Sequence, residues 1–350
     1  MAELAASGAA TERSLAIPLH AKAIELADTM ADDPDAATRS RARRVLLAAH
    51  LGMCERIACG EFQNKDQSVE QWLSRASALA EQMIVDGQAD VSLRLQVARS
   101  GLAAGGRLDP PIDPALWVAE AEQAAAEAEP MLKDEMARQR LHWELGLAYW
   151  QAAEIQHRRG DAELAIRYAE QAERRMTPLR PSRSEMPDTD YLLGCVYFQI
   201  GAAHAVHQKD HDAACQWYDR AVDLLLPATP AAHSRPGQQG DALVSMGVSY
   251  WEIGQRDRAY ELTKAGSELI AQGVSAGLLA DSSLAVPRGN LAAMGRALGI
   301  QQATEQLADN RPAEIGPSKR RSSQLPGRLE APSRTATRPE TIAGEGVRRR

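Results

Sequence analysis

Apolar positions recur at three- and four-residue steps along most of the chain, and that spacing predicts helices rather than strands. A first helix is expected from Ile17 to Met30, with Leu19, Ala23, Ile24 and Leu26 on its buried side. Asp32-Asp33-Pro34 stops it, because proline removes a donor and restricts the residue before it. Val45, Leu46, Ala49, Leu51 and Met53 carry the next stripe over Asp35 to Ile57, with Gly60 as its stop. Asp66 to Asp86 forms the partner helix through Val69, Trp72, Leu73, Ala76, Leu79 and Met83, with Asp66 or Ser68 as cap. Ser92 to Ala104 is a further helix; Gly105, Gly106 and Asp109-Pro110-Pro111 force a turn. Pro114, behind a capping Asp113, opens a helix that ends near Pro130. No strand is expected anywhere.

Beyond Arg138 one phrase occurs three times: Leu145-Gly146-x-x-Tyr149-Trp150, Leu193-Gly194-x-x-Tyr197-Phe198 and Met246-Gly247-x-x-Tyr250-Trp251. Each is followed by a helical segment with closely spaced, mostly small residues: Ala165, Ala169 and Ala172; Ala214, Tyr218 and Ala221; Ala259, Thr263 and Gly266. Recurrence of this kind marks an array of stacked helix pairs. The glycines and Ala165, Ala214 and Ala259 let paired helices approach closely. Tyr149, Tyr197 and Tyr250 act as wedges whose hydroxyls need partners if buried. From Gly247 to Ala259 is 12 positions, whereas Gly146 to Ala165 is 19 and Gly194 to Ala214 is 20. The extra seven or eight residues are read as first helices longer by about two turns, roughly 10 to 12 Å.

The phrase and the spacing of its third copy resemble the tetratricopeptide repeat (TPR), a pair of antiparallel helices of about 34 residues. The resemblance is clearest over 138–272. With Leu284 to Leu291 and a last amphipathic helix to about Leu298, the whole resembles uncharacterised bacterial TPR-containing proteins. It implies an all-α, TPR-like α-solenoid over 15–300, between an unstructured segment 1–14 and a disordered basic tail 301–350. It also implies that a partner protein or peptide binds on the concave wall lined by first helices. Trp150, Phe198 and Trp251 are the candidate contacts: as an aromatic stripe they form either a groove or a second packing layer, and exposure above about a third decides for the groove. The positions of the family's carboxylate clamp are apolar here, at Trp143, Leu147, Tyr191, Cys195, Val244 and Val248. A partner is therefore expected to meet apolar and aromatic groups.

Composition narrows the function further. Hydrophobic residues make up 44% of the chain, enough for a sizeable core, while aromatics are only 4%. The net charge of −7 divides into a tail of about +4 from Gln302 onward and a body of about −11, which argues against nucleic acid. Cys54, Cys59, Cys195 and Cys215 lie in helical patterns, as reduced cytosolic thiols do. No signal peptide or membrane-spanning run is legible, so a cytoplasmic chain with no membrane insertion is expected. His204, His207 and His211 form the one histidine cluster. Because the first helix ends at about Lys209, His211 is read as opening the next helix, and no metal, cofactor or catalytic residue is assigned. No nucleophile elbow, phosphate loop or zincin motif occurs. The expected function is a protein–protein interaction scaffold or adaptor, not an enzyme; a regulatory repeat domain that senses a ligand or peptide and controls an effector is the alternative.

Overall fold

A computed structural model describes residues 13–60, 63–182, 188–228 and 236–300. The expected tail at 301–350 and all but two residues of the 1–14 segment lie outside them. The described residues form twelve α-helices and no strand. They are α1 (Arg13–Asp28), α2 (Ala36–Cys59), α3 (Lys65–Val85), α4 (Ser92–Gly105), α5 (Ala115–Ala128) and α6 (Glu135–Arg159). Then come α7 (Ala162–Met176), α8 (Thr189–Ala203), α9 (His211–Leu225), α10 (Pro236–Glu252), α11 (Arg256–Ser275) and α12 (Ala285–Ala297). The first helix begins at Arg13, inside the segment expected to be unstructured.

Aspartate opens several of these helices. Asp35 accepts from Thr38 N at 2.8 Å, Asp134 from Ala137 N at 3.1 Å, Asp161 from Leu164 N at 3.0 Å and Asp210 from Ala213 N at 2.8 Å. Each such bond satisfies one of the amides that a helix start leaves without an internal partner. The expected cap of α3 is different: the helix starts at Lys65 after a left-handed Asn64, and neither Asp66 nor Ser68 caps it.

Packing follows chain order. The hairpins are α2–α3, α4–α5, α6–α7, α8–α9 and α10–α11, and each second helix also packs on the first helix of the next hairpin. First helices touch one another in sequence, α2 with α4, α4 with α6, α6 with α8 and α8 with α10. Helix α1 lies on α2, and α12 on α11. Side chains link the first helices: Arg107 Nη1 to Glu55 Oε1 at 2.8 Å, Arg99 to Glu144, and His207 Nε2 to His157 Nδ1 at 3.2 Å. One core cluster runs from Leu95 to Met294, and a smaller one joins α2, α3 and α4 through Leu51, Leu73 and Val97. Near the start, the buried Arg43 donates to Ala31 O at 3.1 Å and to Asp86 Oδ2 at 2.5 Å, tying the α1–α2 loop to the end of α3.

The last three hairpins share a register that the repeated phrase misreports. A methyl group built on Gly146 would stand 2.6 Å from Met176 Cγ; on Gly194, 2.8 Å from Leu225 Cγ; on Gly240, 2.7 Å from Ile270 Cγ1. Those pairs are 30, 31 and 30 residues apart, so Gly240, not Gly247, corresponds to Gly146 and Gly194. Two turns on, Gly201 faces Ala214 O and Gly247 faces Ala259 O, and the buried Ala153 holds that place in α6. The expected lengthening of the first two copies is therefore absent, because α10 has the same two turns ahead of Gly247. The phrase itself is displaced by seven residues in the third copy. The remaining single residue is the π-helical turn His204–Gln208 at the end of α8, which lengthens the second hairpin from 30 to 31.

Obstacles of different stiffness set different costs at these crossings. A carbon on Gly146 meets the Met176 side chain, first at Cγ, whereas one on Gly240 meets a backbone oxygen, Gly266 O, at 2.6 Å. Overpacking costs about 1–3 kcal/mol, and alanine regains up to about 1 kcal/mol of helix propensity. Gly146→Ala is expected to leave urea-unfolding stability within about 1 kcal/mol of wild type, and Gly240→Ala to lower it by about 2 kcal/mol or more.

Candidate functional site

The shared register defines which side of each first helix faces away from its neighbours. In α6, Gly146 looks at α7, Tyr149 at α5 and His157 at α8; Glu144 and Arg158 border α4 through Arg99 and the Gly106 and Leu108 carbonyls, leaving Arg140 and Gln151 on the side between. The corresponding strip in α8 is Leu192, Cys195, Gln199, Ala202 and Val206, and in α10 it is Asp241, Ser245, Val248 and Glu252. Burial differs along it. Cys195, Gln199 and Ala202 are buried between the flanking helices, while the four α10 residues are exposed, Val248 to 40%.

The three candidate aromatics do not form one stripe. Trp150 is buried at 9% exposure, and Phe198 and Trp251 are half-buried against the main core. Trp150 and Phe198 correspond, but the residue of α10 in their place is the buried Val244; Trp251 stands two turns further, roughly 10 Å along the axis. Phe198 stacks on Tyr218 with centroids 5.9 Å apart, and the Arg256 guanidinium lies 5.4 Å from the Trp251 ring. Of the six clamp positions only Val248 is exposed; Trp143, Leu147, Tyr191, Cys195 and Val244 are buried.

The repeat-packing residues are buried throughout: Gly146, Tyr149 and Ala165, Gly194, Tyr197 and Ala214, and Gly247, Tyr250 and Ala259. Two wedge hydroxyls have carboxylate acceptors on the preceding second helix, Tyr149 on Glu122 and Tyr250 on Asp219, both at 2.6 Å. Desolvation by burial is the largest cause that raises both phenols, and the adjacent carboxylates add to it. Arg258 completes the second site, 2.8 Å from Asp219 Oδ1 and 4.4 Å from the Tyr250 ring. A second aromatic layer escaped the sequence reading. Tyr168 pairs with Tyr149 at 6.4 Å and Trp217 with Tyr197 at 6.1 Å. Each follows the close-packed alanine of its helix, Ala165 or Ala214, by three residues, which is the signal that could have revealed it.

The histidine cluster disperses. His204 Nδ1 meets Gln208 Oε1 at 2.7 Å, His207 meets His157, and His211, which opens α9, meets Ser249 Oγ at 3.0 Å. Among the described residues no group of three His, Cys, Asp or Glu side chains is placed to hold a metal. A cleft of about 320 Å³ between α3, α4 and α5 is occupied by its own charges: Arg94 is bidentate to Glu81 at 2.5 and 2.8 Å and reaches Glu127 at 2.6 Å.

Three polar atoms on or beside the uncovered strip are buried with no hydrogen-bond partner among the described residues: Trp150 Nε1, Gln151 Oε1 and Gln199 Nε2. An unmade bond at a buried polar group costs about 1–3 kcal/mol. Gln151 and Gln199 occupy the same place in α6 and α8, and Ser245 holds it in α10.

No helix among the described residues is long and apolar enough to cross a membrane. The sequence matches no protein-family model and no curated protein.

Burial lowers the His157 pKa from 6.5 to about 4, with the neighbouring His207 charge adding to the effect. The unfolded state therefore binds more protons between those values, and stability is complete above about pH 6.5 and declines as pH falls toward about 4. His20 and His50, also lowered first by burial, act in the same direction. Urea unfolding across this window is expected to give a shallower pH slope for His157→Gln than for wild type.

Proposed function

We propose that the chain is a protein-interaction scaffold or adaptor, a TPR-like solenoid whose partner lies across the uncovered strip of its first helices. The observation that carries this reading is the side-by-side succession of α4, α6, α8 and α10, the last three in one register that lines up one face of each. A continuous wall of this kind suits an elongated partner, because each hairpin adds an equivalent set of contacts. Successive hairpins are 48 and 46 residues apart, counted from Gly146 to Gly194 and Gly240, so the units are longer than the roughly 34 residues of the repeat they resemble.

Partner contact in this reading belongs to the exposed part of the strip rather than to the buried Trp150. Val206 and Val248 are exposed at 50% and 40%, and Asp241 and Glu252 flank Val248 on α10. An acidic body of about −11 favours a basic partner and speeds its encounter.

Placing an arginine on this wall tests the reading without touching the core. Val248→Arg is expected to keep the melting temperature within a few degrees of wild type and to reduce retention of the proteins captured by the wild-type chain at least about tenfold. Equal retention by both forms would remove α10 from the binding face.

A further inference from the structure

The end of the array ahead of α2 carries a device of a different kind, independent of the wall. We propose that α1 is an acid-released cap: protonation of His20 undocks it from α2 and frees the α2 face it covers, while the hairpins behind it stay folded.

The contact is thin. Each second helix packs on the first helix of the next hairpin, and α1 takes that place ahead of α2. Of its described side chains, those buried are Ala16, His20, Ala23 and Ala27, while Ile17 and Ile24 reach the α2–α3–α4 core only half-buried. An alanine removes little apolar area from water, so the helix docks without a large buried aliphatic anchor. Pro18, inside the helix, also takes one backbone hydrogen bond out of it. The loop that follows is fastened more firmly: Arg43 donates to Ala31 O at 3.1 Å and Arg39 Nη1 to Asp33 O at 2.6 Å. The chain therefore has a fixed point from which α1 can swing away. In an array, whose stability is summed over neighbouring contacts, such an end opens without the rest.

His20 is the lock. Its ring occupies the place where a side chain on Gly52 of α2 would begin. It is 2% exposed, and neither Nδ1 nor Nε2 has a hydrogen-bond partner among the described residues. A neutral imidazole leaves one donor and one acceptor unmade there, whereas an imidazolium would bury a charge together with two donors. The charges nearest the ring are Arg56 and Glu55 on α2. Arg56 repels a proton, and Glu55 is already engaged by Arg107 Nη1 at 2.8 Å, with Arg56 Nη2 3.9 Å away. On α1 itself Lys22 and Glu25 pair with each other at 2.8 Å. Burial first, and then Arg56, hold the imidazole below its ordinary 6.5. Docking is thus complete above that pH and weakens below it, by up to about tenfold per pH unit until the docked ring itself takes the proton. His50 of α2 bears on α3 instead, its ring 5.3 Å from that of Trp72, and the α1 charge nearest it, Asp28, attracts a proton rather than repelling one.

Amide exchange of the full chain, followed by mass spectrometry at about pH 7.5 and about pH 5 and corrected for the intrinsic pH dependence of exchange, tests the cap. Residues 13–28 are expected to lose about tenfold or more of their protection at the lower pH, and more than α11 loses. His20→Gln and His20→Leu remove the titrating ring, so the loss is expected to vanish in both; His50→Gln is expected to retain it. Protection of 13–28 that is unchanged in the wild-type chain, that falls only together with α11, or that still falls in a His20 variant overturns the proposal. Should both variants leave α1 unprotected at the higher pH, histidine ring NMR of the wild-type chain decides. The resonance missing from both variants is expected to titrate in step with the loss of protection, and a resonance constant across the window overturns the proposal as well.

Discussion

Helices α10 and α11 cross so closely that the backbone of each occupies the place where the other's side chain would begin. A carbon on Gly240 would stand 2.6 Å from Gly266 O, and one on Gly266 would stand 2.5 Å from Gly240 O. No rotamer change relieves a clash with backbone, so both positions are confined to glycine while this crossing persists. Hairpins α6–α7 and α8–α9 meet the same demand less severely: a carbon on Gly146 or Gly194 meets first the side chain of Met176 or Leu225, and Ala172 and Ala221 stand where α11 has Gly266. Everything downstream depends on these crossings. They set how tightly each hairpin closes, hence where its first helix lies against the next, hence which residues of that helix are left uncovered.

That dependence explains what was legible in the sequence and what was not. Three- and four-residue periodicity located the helices, and the proline, glycine and aspartate signals located most of their ends. The hairpin register was harder, because seven residues make almost two whole turns and bring the chain back to the same face. Each first helix thus has two close-approach positions on that face, Gly146 and Ala153, Gly194 and Gly201, Gly240 and Gly247. The phrase Leu-Gly-x-x-Tyr marks the earlier one in α6 and α8 and the later one in α10. Similar residues at non-equivalent places look like a repeat with an insertion. Only the partners across the hairpin, Met176, Leu225 and Ile270, distinguish a displaced phrase from a longer helix.

The aromatic stripe failed for the same reason. Once Gly240 is aligned with Gly146, the residue matching Trp150 and Phe198 is Val244, and Trp251 falls level with the end of α6, where His157 meets His207. The tyrosines survive the shift because their role is local. Tyr149 and Tyr250 each reach a carboxylate on the preceding second helix, Glu122 or Asp219, and either phase of the helix points a long side chain toward that neighbour. Glu122 and Asp219 were not identifiable beforehand, since in an acid-rich helix nothing separates a carboxylate that accepts a buried phenol from one facing water.

Charge is distributed unequally along the wall. Between α2, α4 and α6 two arginines are matched from one layer to the next: Arg107, just past the end of α4, with Glu55, and Arg99 with Glu144. These pairs fix the spacing of neighbouring helices and leave little field beyond them, since partly exposed pairs are screened and largely self-cancelling. Past α6 the pattern stops. The strip of α8 is neutral and small, and that of α10 carries Asp241 and Glu252 without a base opposite either among the described residues. A cation approaching the wall is therefore drawn toward its α10 end. In the scaffold proposed above, the place where the matched pairs end sets which end of the wall attracts a basic partner.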